Sequence, residues 1–193
     1  MKIAIIKYNA GNIQSVKNAL NRLNVKAHIT DNKDEIISSD KVIFPGVGEA
    51  KSAMGYLKNA KLDKLIPQLS QPFLGICLGL QLMCNYSEEN NTKCLNIFNS
   101  NVKLFPPKLK VPHVGWNTIT NLKGKLFDGI EENSFVYFVH SYYAELNEDT
   151  IAETDYILPF SASIQRNNFF ATQFHPEKSG KVGEKILKNF LEI

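Results

Sequence analysis

The chain has 193 residues, of which 44% are hydrophobic, so it can bury one sizeable core but is too short for two domains of ordinary size. We therefore expect a single domain that spans residues 1–193. The formal net charge is +3 and the 22 basic residues are spread along the chain, which argues against a nucleic-acid-binding surface.

Strand and helix patterns alternate in the first half of the chain. Short apolar runs, typical of strands buried on both faces of a parallel sheet, are followed by amphipathic runs with apolar residues three and four positions apart. The alternation predicts an α/β fold, with a mostly parallel open sheet flanked by helices and connected by right-handed crossovers. The predicted strands span residues 2–8, 25–30, 41–44 and 73–76, and helices are predicted from Asn12, a candidate N-cap, over 50–59 and over 80–84.

Short strand-like runs separated by turns dominate the second half of the chain. They predict antiparallel additions to the sheet. The polar, irregular stretch 85–101 is predicted to be a surface excursion, and a helix with one apolar face is predicted after Ser179. The predicted strands of this half span residues 102–105, 117–120, 135–139, 151–156, 162–166 and 169–173.

Three cysteines and four histidines are the residues from which a disulfide framework or a metal site would be built. The cysteines are odd in number without a CxxC pair, and the histidines lie far apart, so we expect no disulfide framework, no metal and no cofactor. The first apolar run, residues 3–6, is shorter than that of a signal peptide, and no run approaches membrane-spanning length. We therefore expect a cytoplasmic protein without membrane contact, in which a free thiol can act as a reagent.

The strongest local signal is a G-x-C-x-G sequence at residues 75–79, centred on Cys77, where a predicted strand turns into a helical segment. This is the cysteine version of a nucleophile elbow, in which the turn strains the central residue and the glycines let the chain pass closely. The N-terminus of the following helix favours the thiolate, the nucleophilic form. Taken alone, the pattern also fits a buried structural cysteine between two packing glycines.

A second signal is the Gln-Phe-His-Pro-Glu sequence of residues 173–177, at the end of the last predicted strand. A histidine followed two residues later by a carboxylate supplies a base and the group that orients it. Because residues i and i+2 of an extended segment face the same side, Glu177 is expected to reach the far imidazole nitrogen of His175. A lone histidine at a strand end is more often structural, but an elbow cysteine elsewhere in the chain reverses that balance.

A third element is the Pro-Gly-Val-Gly loop of residues 45–48, at the end of a predicted parallel strand. Ligands of open α/β sheets bind at the carboxyl ends of strands, so this loop, Cys77 and His175 are expected to meet at one rim. Its glycines leave backbone N–H groups free to face an oxyanion, although a plain tight turn fits the loop equally well. The chain has neither G-x-G-x-x-G nor a Walker sequence, which excludes a nucleotide-phosphate loop.

Over its whole length the sequence resembles the class I (triad) glutamine amidotransferases, which have a flavodoxin-like fold. The elbow and the His-Pro-Glu segment define the class. Other segments look like its histidine-biosynthesis branch, the glutaminase subunits of imidazole glycerol phosphate synthases. The marks of the resemblance are YNAGN at 8–12, PGVG at 45–48, GICLGLQ at 75–81, HVGWN at 113–117, YFVHSY at 137–142 and QFHPEKSG at 173–180.

The resemblance implies a catalytic triad. Cys77 would be the nucleophile that attacks the side-chain amide of L-glutamine, His175 the general base and then acid, and Glu177 the carboxylate that orients His175. Ammonia would leave first, and a water activated by His175 would then hydrolyse the thioester to glutamate.

The resemblance also implies roles around the triad. The oxyanion-holding and substrate-binding residues would be Val47, Gly48, Leu78, Gln81, Glu89, Ser141 and Tyr142, with Glu89 suited to the ammonium group and the backbone of 141–142 to the carboxylate of glutamine. The partner-facing residues would be Asn12, Trp116 and Lys178.

The chain departs from the family pattern in three places. Lys7 stands where an acidic residue is usual, which would change the charge near the partner surface, and Asn9 stands where glycine is usual. Residues 90–96 replace a Gly-Leu-rich strand entry, so the alignment of Glu89 rests on a weaker match than that of Cys77.

The ammonia is expected to be used on another chain, because no synthase domain fits in 193 residues. The implied partner is a (β/α)-barrel cyclase/synthase subunit, bound as a heterodimer, that forms imidazole glycerol phosphate and an aminoimidazole carboxamide ribotide in L-histidine biosynthesis. Glutaminase activity is expected to be weak alone and stimulated by the ligand-bound partner, with the loop 46–48 as a switch. Two alternatives remain: a glutaminase that feeds another synthase, such as one that amidates a sugar in surface-glycan assembly, and a non-catalytic scaffold subunit.

Overall fold

A computed structural model describes residues 1–8 and 12–193. The strands in chain order are β1 (Ile3–Ile6), β2 (Ala27–Thr30), β3 (Lys41–Phe44), β4 (Phe73–Ile76), β5 (Tyr86–Ser87), β6 (Thr92–Lys93), β7 (Asn101–Leu104), β8 (His113–Ile119), β9 (Ser134–His140), β10 (Tyr142–Ala144), β11 (Thr150–Tyr156), β12 (Leu158–Arg166) and β13 (Phe169–Thr172). The α-helices are α1 (Ile13–Arg22), α2 (Lys33–Ile37), α3 (Ala50–Asn59), α4 (Leu62–Leu65), α5 (Leu78–Met83) and α6 (Gly180–Glu192).

The central sheet has seven strands in the order β11-β12-β13-β4-β3-β1-β2. The five strands from β13 to β2 are parallel, and β12 and β11 continue the sheet as antiparallel strands. The predicted α/β class, with a mostly parallel sheet and antiparallel additions, is confirmed. Every residue of β1, β3, β4 and β13 is buried, because the apolar side chains of these strands pack under helices on both faces of the sheet.

The prediction that all strands of the second half add to this sheet as antiparallel neighbours was wrong for several of them. β13 pairs parallel with β4, next to the elbow, and all four of its side chains are buried, as expected for an inner strand that is covered on both faces. β8 and β9 form a separate two-stranded ribbon, and a four-stranded sheet has the order β10-β7-β5-β6. Exposed apolar residues such as Trp116 remain on one face of the ribbon.

The prediction of a surface excursion at residues 85–101 was also wrong. Cys94, Leu95, Ile97 and Phe98 are buried in the core, and the backbone amides of the last three residues bond to carbonyls of α5 or its adjoining residues. Four apolar residues scattered among asparagines gave no helix or strand period, so the sequence pattern concealed their burial. The segment includes the short strands β5 and β6.

No helix in the part of the chain that the structure describes is both long and apolar enough to cross a membrane. The YNAGN segment at 8–12 falls partly outside the described residues. Tyr8 is buried and its hydroxyl donates to the carbonyl oxygen of Pro45 over 2.6 Å, which connects the end of β1 to the loop after β3.

Candidate active site

Cys77 lies between β4 and α5 with a backbone φ of 53° and ψ of −103°, a conformation that L-residues rarely adopt. Its backbone amide donates to the carbonyl oxygen of Thr172 at the end of β13 over 2.7 Å. A Cβ atom built on Gly79 would come within 2.3 Å of the carbonyl oxygen of Phe44. The strained elbow therefore exists only because glycine lets the backbones of α5 and β3 touch.

Cys77 is almost completely buried, and the polar atoms near its sulfur include groups of Val139 and Gln173. The carbonyl oxygen of Val139 lies 3.8 Å from Sγ and can accept the thiol proton. The Nε2 of Gln173 lies 3.6 Å from Sγ and can donate to it. The sequence pattern includes Gln173 in a matched segment but indicates no role for this side chain.

His175 and Glu177 form a buried pair in which Nδ1 of the histidine lies 2.8 Å from Oε1 of the carboxylate. The carboxylate reaches the expected nitrogen, but the extended segment proposed for it was wrong. Residues Pro176–Lys178 form one turn of 3-10 helix, which brings the two side chains together. The turn is held by Ser179, whose hydroxyl donates to the carbonyl oxygen of His175 over 2.7 Å.

The pKa of His175 is the most informative in the site. Burial alone would lower it, but the neighbouring Cys77 and the bond to Glu177 raise the pKa of His175 to about 10. Among the residues that the structure describes, the buried Nε2 atom of His175 has no hydrogen-bond partner. An imidazolium beside the sulfur, with Nε2 free, is the arrangement that holds a thiolate and has a proton ready for a leaving group.

The loop after β3 packs directly on the elbow. A Cβ atom on Gly46 would come within 2.6 Å of both the backbone nitrogen of Gly79 and the Cβ of Leu78. Leu78 is the first residue of α5, so its N–H group has no acceptor within the helix. The structure thus brings Val47, Gly48 and Leu78 to the wall of one cavity with Cys77.

This cavity has a volume of about 320 Å³, and all the residues predicted to bind substrate line its wall. Sequence reasoning missed Pro112, Val139 and His140, which complete its wall. Val139 and His140 directly precede Ser141 in the segment 137–142, which is the signal that could have found them, whereas Pro112 is identified only from its position in the fold. The cavity is lined by Val47, Gly48, Cys77, Leu78, Gln81, Glu89, Pro112, Val139, His140, Ser141 and Tyr142.

Glu89 and Gln81 are tied into the cavity wall by hydrogen bonds. Oε2 of Glu89 accepts from the backbone amide of Ala50, the first residue of α3, over 2.7 Å. Burial raises the pKa of Glu89, and the bond from Ala50 opposes that shift. Nε2 of Gln81 donates to the carbonyl oxygen of Tyr142 over 2.9 Å and to Oε1 of Gln173 over 3.1 Å.

The three residues predicted to face a partner lie around the Pro176–Lys178 turn. Asn12 donates to Glu177, Lys178 is exposed with its Nζ 5.9 Å from the ring centroid of Tyr137, and Trp116 packs edge-on against that same ring. Trp116 is 55% exposed. The outer side of the triad therefore continues into a surface with exposed aromatic and basic groups.

Within residues 1–8 and 12–193, no group of three or more His, Cys, Asp or Glu side chains could hold a metal ion. The three cysteines are free thiols, and only Cys77 lines the cavity. The chemistry that this arrangement can perform is acyl transfer through a thioester, with His175 as the proton carrier.

Comparison with known proteins agrees with this chemistry. Residues 4–193 match the family model described as glutamine amidotransferase class-I. The "Imidazole glycerol phosphate synthase subunit HisH" of Bacteroides fragilis (strain YCH46) is 60% identical, and the protein of the same name from Bacteroides thetaiotaomicron is 59% identical, each alignment covering 100% of both chains.

Solved structures with low sequence identity share the fold. A putative GMP synthase component from Thermoplasma acidophilum has a TM-score of 0.76 at 21% identity, covering 100% of this chain and 92% of that one. A structure described as a glutamine amidotransferase has a TM-score of 0.73 at 19% identity, covering 98% of this chain and 97% of that one.

Proposed function

The chain belongs to the class I glutamine amidotransferases, and we propose that Cys77, His175 and Glu177 are the triad with which it hydrolyses L-glutamine to glutamate and ammonia. It serves as the glutaminase subunit of an imidazole glycerol phosphate synthase in histidine biosynthesis, and its full-length relatives carry the name of a subunit of that synthase. The observation that carries the site assignment is the buried 2.8 Å contact between His175 Nδ1 and Glu177 Oε1 beside the strained Cys77.

In the first half of the reaction the thiolate of Cys77 adds to the amide carbon of glutamine. The carbonyl π electrons move to oxygen, and the N–H group of Leu78 and the Val47–Gly48 backbone stabilise that oxyanion. When the oxyanion collapses, the C–N bond breaks and Nε2 of His175 gives its proton to the departing nitrogen. Ammonia leaves and a glutamyl thioester remains on Cys77.

In the second half His175 is neutral and acts as a base. It takes a proton from water as the water oxygen adds to the thioester carbon, through a second oxyanion in the same hole. Collapse breaks the C–S bond, releases the side-chain carboxylic acid, which loses its proton to solvent to give glutamate, and returns Cys77 as a thiolate beside the imidazolium. Glu177 stabilises that imidazolium through Nδ1 and fixes the tautomer of the ring when it is neutral.

Recognition of glutamine uses both walls of the cavity. Glu89, held by the amide of Ala50, binds the substrate ammonium group. Backbone groups of Ser141 and Tyr142 bind the substrate carboxylate. Gln81 supports that wall through its bond to the Tyr142 carbonyl.

The ammonia passes to a (β/α)-barrel cyclase subunit that docks on the outer side of the triad. An exposed apolar face of the β8–β9 ribbon, with Val114, Trp116 and Phe135 each more than half exposed, lies beside Lys178 and supports this docking site. Transfer within a complex avoids the protonation and diffusion of free ammonia. A movement of the Val47–Gly48 loop, which packs on the elbow, would connect partner binding to the oxyanion hole.

Replacement of Cys77 by alanine tests the proposal in the complex with the cyclase subunit. Cys77→Ala should abolish glutamine-dependent synthesis and leave synthesis from added ammonium salt intact. Cys94→Ala is the matched control, since it removes another buried free thiol that does not line the cavity, and it should keep both activities. Glutamine-dependent synthesis by folded Cys77→Ala would exclude the proposed nucleophile.

The alternatives are less well supported. The first alternative is a glutaminase that serves another synthase, such as a sugar-amidating one. It is less well supported because the full-length relatives are named as subunits of imidazole glycerol phosphate synthase. A non-catalytic scaffold would not need the strained elbow and a buried histidine–carboxylate pair beside it.

A further inference from the structure

We propose that Gln173 is a fourth catalytic residue, whose side-chain amide donates a hydrogen bond to the sulfur of Cys77 and stabilises the thiolate. This inference rests on the proposed function and adds a residue to the same site. Gln173 follows β13 directly, and its side chain is completely buried. Its Nε2 lies 3.6 Å from Sγ of Cys77, a residue 96 positions earlier in the chain.

The orientation of the Gln173 amide is fixed by a chain of hydrogen bonds. The carbonyl oxygen of Tyr142 can only accept, so the nitrogen of the Gln81 side chain must face it, at 2.9 Å. The same nitrogen lies 3.1 Å from Oε1 of Gln173 and donates its other hydrogen there. Nε2 of Gln173 is therefore the atom turned to the sulfur, because the flipped amide would place nitrogen against nitrogen and oxygen against sulfur.

The sulfur exchanges partners when it ionises. As a thiol, Cys77 can donate to the carbonyl oxygen of Val139, 3.8 Å away. As a thiolate it has no proton to give and needs donors, which Nε2 of Gln173 and the otherwise unpartnered Nε2 of His175 can supply. The amide donor does not depend on the protonation state of His175, so the sulfur has a second donor beside the imidazolium when the C–S bond breaks and the thiolate returns.

The same chain connects the nucleophile to the substrate wall. Tyr142 contributes backbone to the proposed carboxylate site, Gln81 bonds to its carbonyl, and Gln173 extends the connection to the sulfur. Binding of glutamine at Tyr142 would therefore hold the donor that faces Cys77 in place.

Two substitutions at Gln173 test the inference in the full chain. Gln173→Met keeps the length of the side chain but removes the donor, and Gln173→Glu keeps the shape and the acceptor for Gln81 but places a carboxylate oxygen against the sulfur.

The measurement is the rate at which iodoacetamide alkylates Cys77 between pH 5 and 10, read by mass spectrometry of the Cys77 peptide. We expect Gln173→Met to move the midpoint of the rate profile upward by about one pH unit and to slow alkylation below it about tenfold, since a donor to a charged group is lost. Gln173→Glu should shift the midpoint further.

A buried amide outside the site provides the matched control. Asn189 in α6 donates to the carbonyl oxygens of Leu126 and Asp128 and does not line the cavity. Asn189→Leu should lower thermal stability but leave the alkylation midpoint unchanged. Unchanged midpoints in both folded Gln173 variants, or an equal shift in Asn189→Leu, would overturn the inference. Wild-type protein in its complex that fails to turn over glutamine would instead contradict the proposed function.

Discussion

The side-chain amide of Asn12 donates a hydrogen bond over 2.8 Å to Oε1 of Glu177. The sequence placed Asn12 at the N-cap of the first helix, and the helix does begin after it, but its side chain makes no capping bond. Its backbone lies in the left-handed region, with φ 70° and ψ 5°, which directs the amide elsewhere. Asn12 therefore fixes the carboxylate that orients His175.

Replacing Asn12 by glycine should lower glutaminase kcat about tenfold with little change in KM, because a hydrogen bond to a buried carboxylate is lost. Glycine is the right substitution since it tolerates the left-handed backbone, whereas alanine would add strain. The measurement is steady-state glutamine hydrolysis by the protein in its complex.

Asn24→Gly is the matched control for this experiment. Asn24 also has a left-handed backbone, with φ 58°, and follows the same helix at its other end, away from the triad. It should keep the wild-type kcat. A tenfold rise in KM with unchanged kcat in Asn12→Gly would show that Asn12 acts on substrate binding and not on the triad.

Gly79→Ala should destabilise the protein by roughly 1–3 kcal/mol and lower its glutaminase activity, because the added Cβ meets the Phe44 carbonyl oxygen at 2.3 Å. The Cβ is attached to the backbone of α5 and meets the backbone of β3, so the clash can be relieved only if α5 and the end of β3 move apart. Cys77 directly precedes α5 and would move with it. Urea unfolding and glutamine turnover would measure the two effects.

Gly55→Ala offers a contrast within the same protein. Gly55 lies inside α3, and a Cβ there would meet no atom within 4 Å. Alanine should stabilise the protein by up to about 1 kcal/mol through helix propensity and leave turnover unchanged. Equal stability of Gly79→Ala and wild type would show that the elbow tolerates a side chain there.

Acidification should destabilise the protein through two buried histidines, progressively from about pH 6.5 down to their folded pKa values of about 4 and about 3. Burial lowers the pKa of His113 to about 4 and that of His140 to about 3, and the two rings share a 3.1 Å hydrogen bond. Below the unfolded pKa near 6.5, the two histidines bind protons in the unfolded chain but stay neutral in the folded chain. The free energy of unfolding therefore falls as the pH is lowered.

Urea midpoints measured at pH 7.0, 6.0 and 5.0 would show this loss. His113→Phe keeps the ring stacked on Tyr156 and Phe138 but removes one titrating group, so its midpoint should fall less steeply over the same pH range. A slope as steep as that of the wild type would assign the acid sensitivity to other groups.

Much of the parallel sheet could be predicted because its strands are short apolar runs bounded by turns. The strands at residues 41–44 and 73–76 have the predicted ends, since nearly all of their side chains are apolar and buried and so form a continuous apolar run. The pairing of β13 with β4 could not be predicted, because strand order depends on contacts between distant parts of the chain.

The candidate site, like the sheet, could be predicted only in part from the sequence. Cys77, His175 and Glu177 stand in short segments whose residue types and spacing already indicate nucleophilic chemistry. The contacts of Asn12 with Glu177 and of Gln173 with Cys77 join residues 165 and 96 positions apart, and nothing local in the sequence indicates either one. Supporting residues of this kind become visible only when the fold brings the segments together.

Glu89→Gln should raise the KM for glutamine about tenfold to a hundredfold and change kcat little, because the neutral amide no longer pairs with the substrate ammonium group. The Gln oxygen can still accept from the amide of Ala50, so the wall of the cavity should keep its shape. Glu88→Gln is the matched control: Glu88 also accepts from a backbone amide, that of Leu104, but does not line the cavity. Its KM should equal that of the wild type.

The KM for glutamine should also depend on pH through Glu89. Because burial raises the pKa of Glu89, the wild-type KM should begin to rise on acidification at a higher pH than an ordinary glutamate would give, and Glu89→Gln should lack that rise. An unchanged KM in Glu89→Gln would move the ammonium site away from this carboxylate and with it the direction in which glutamine lies in the cavity.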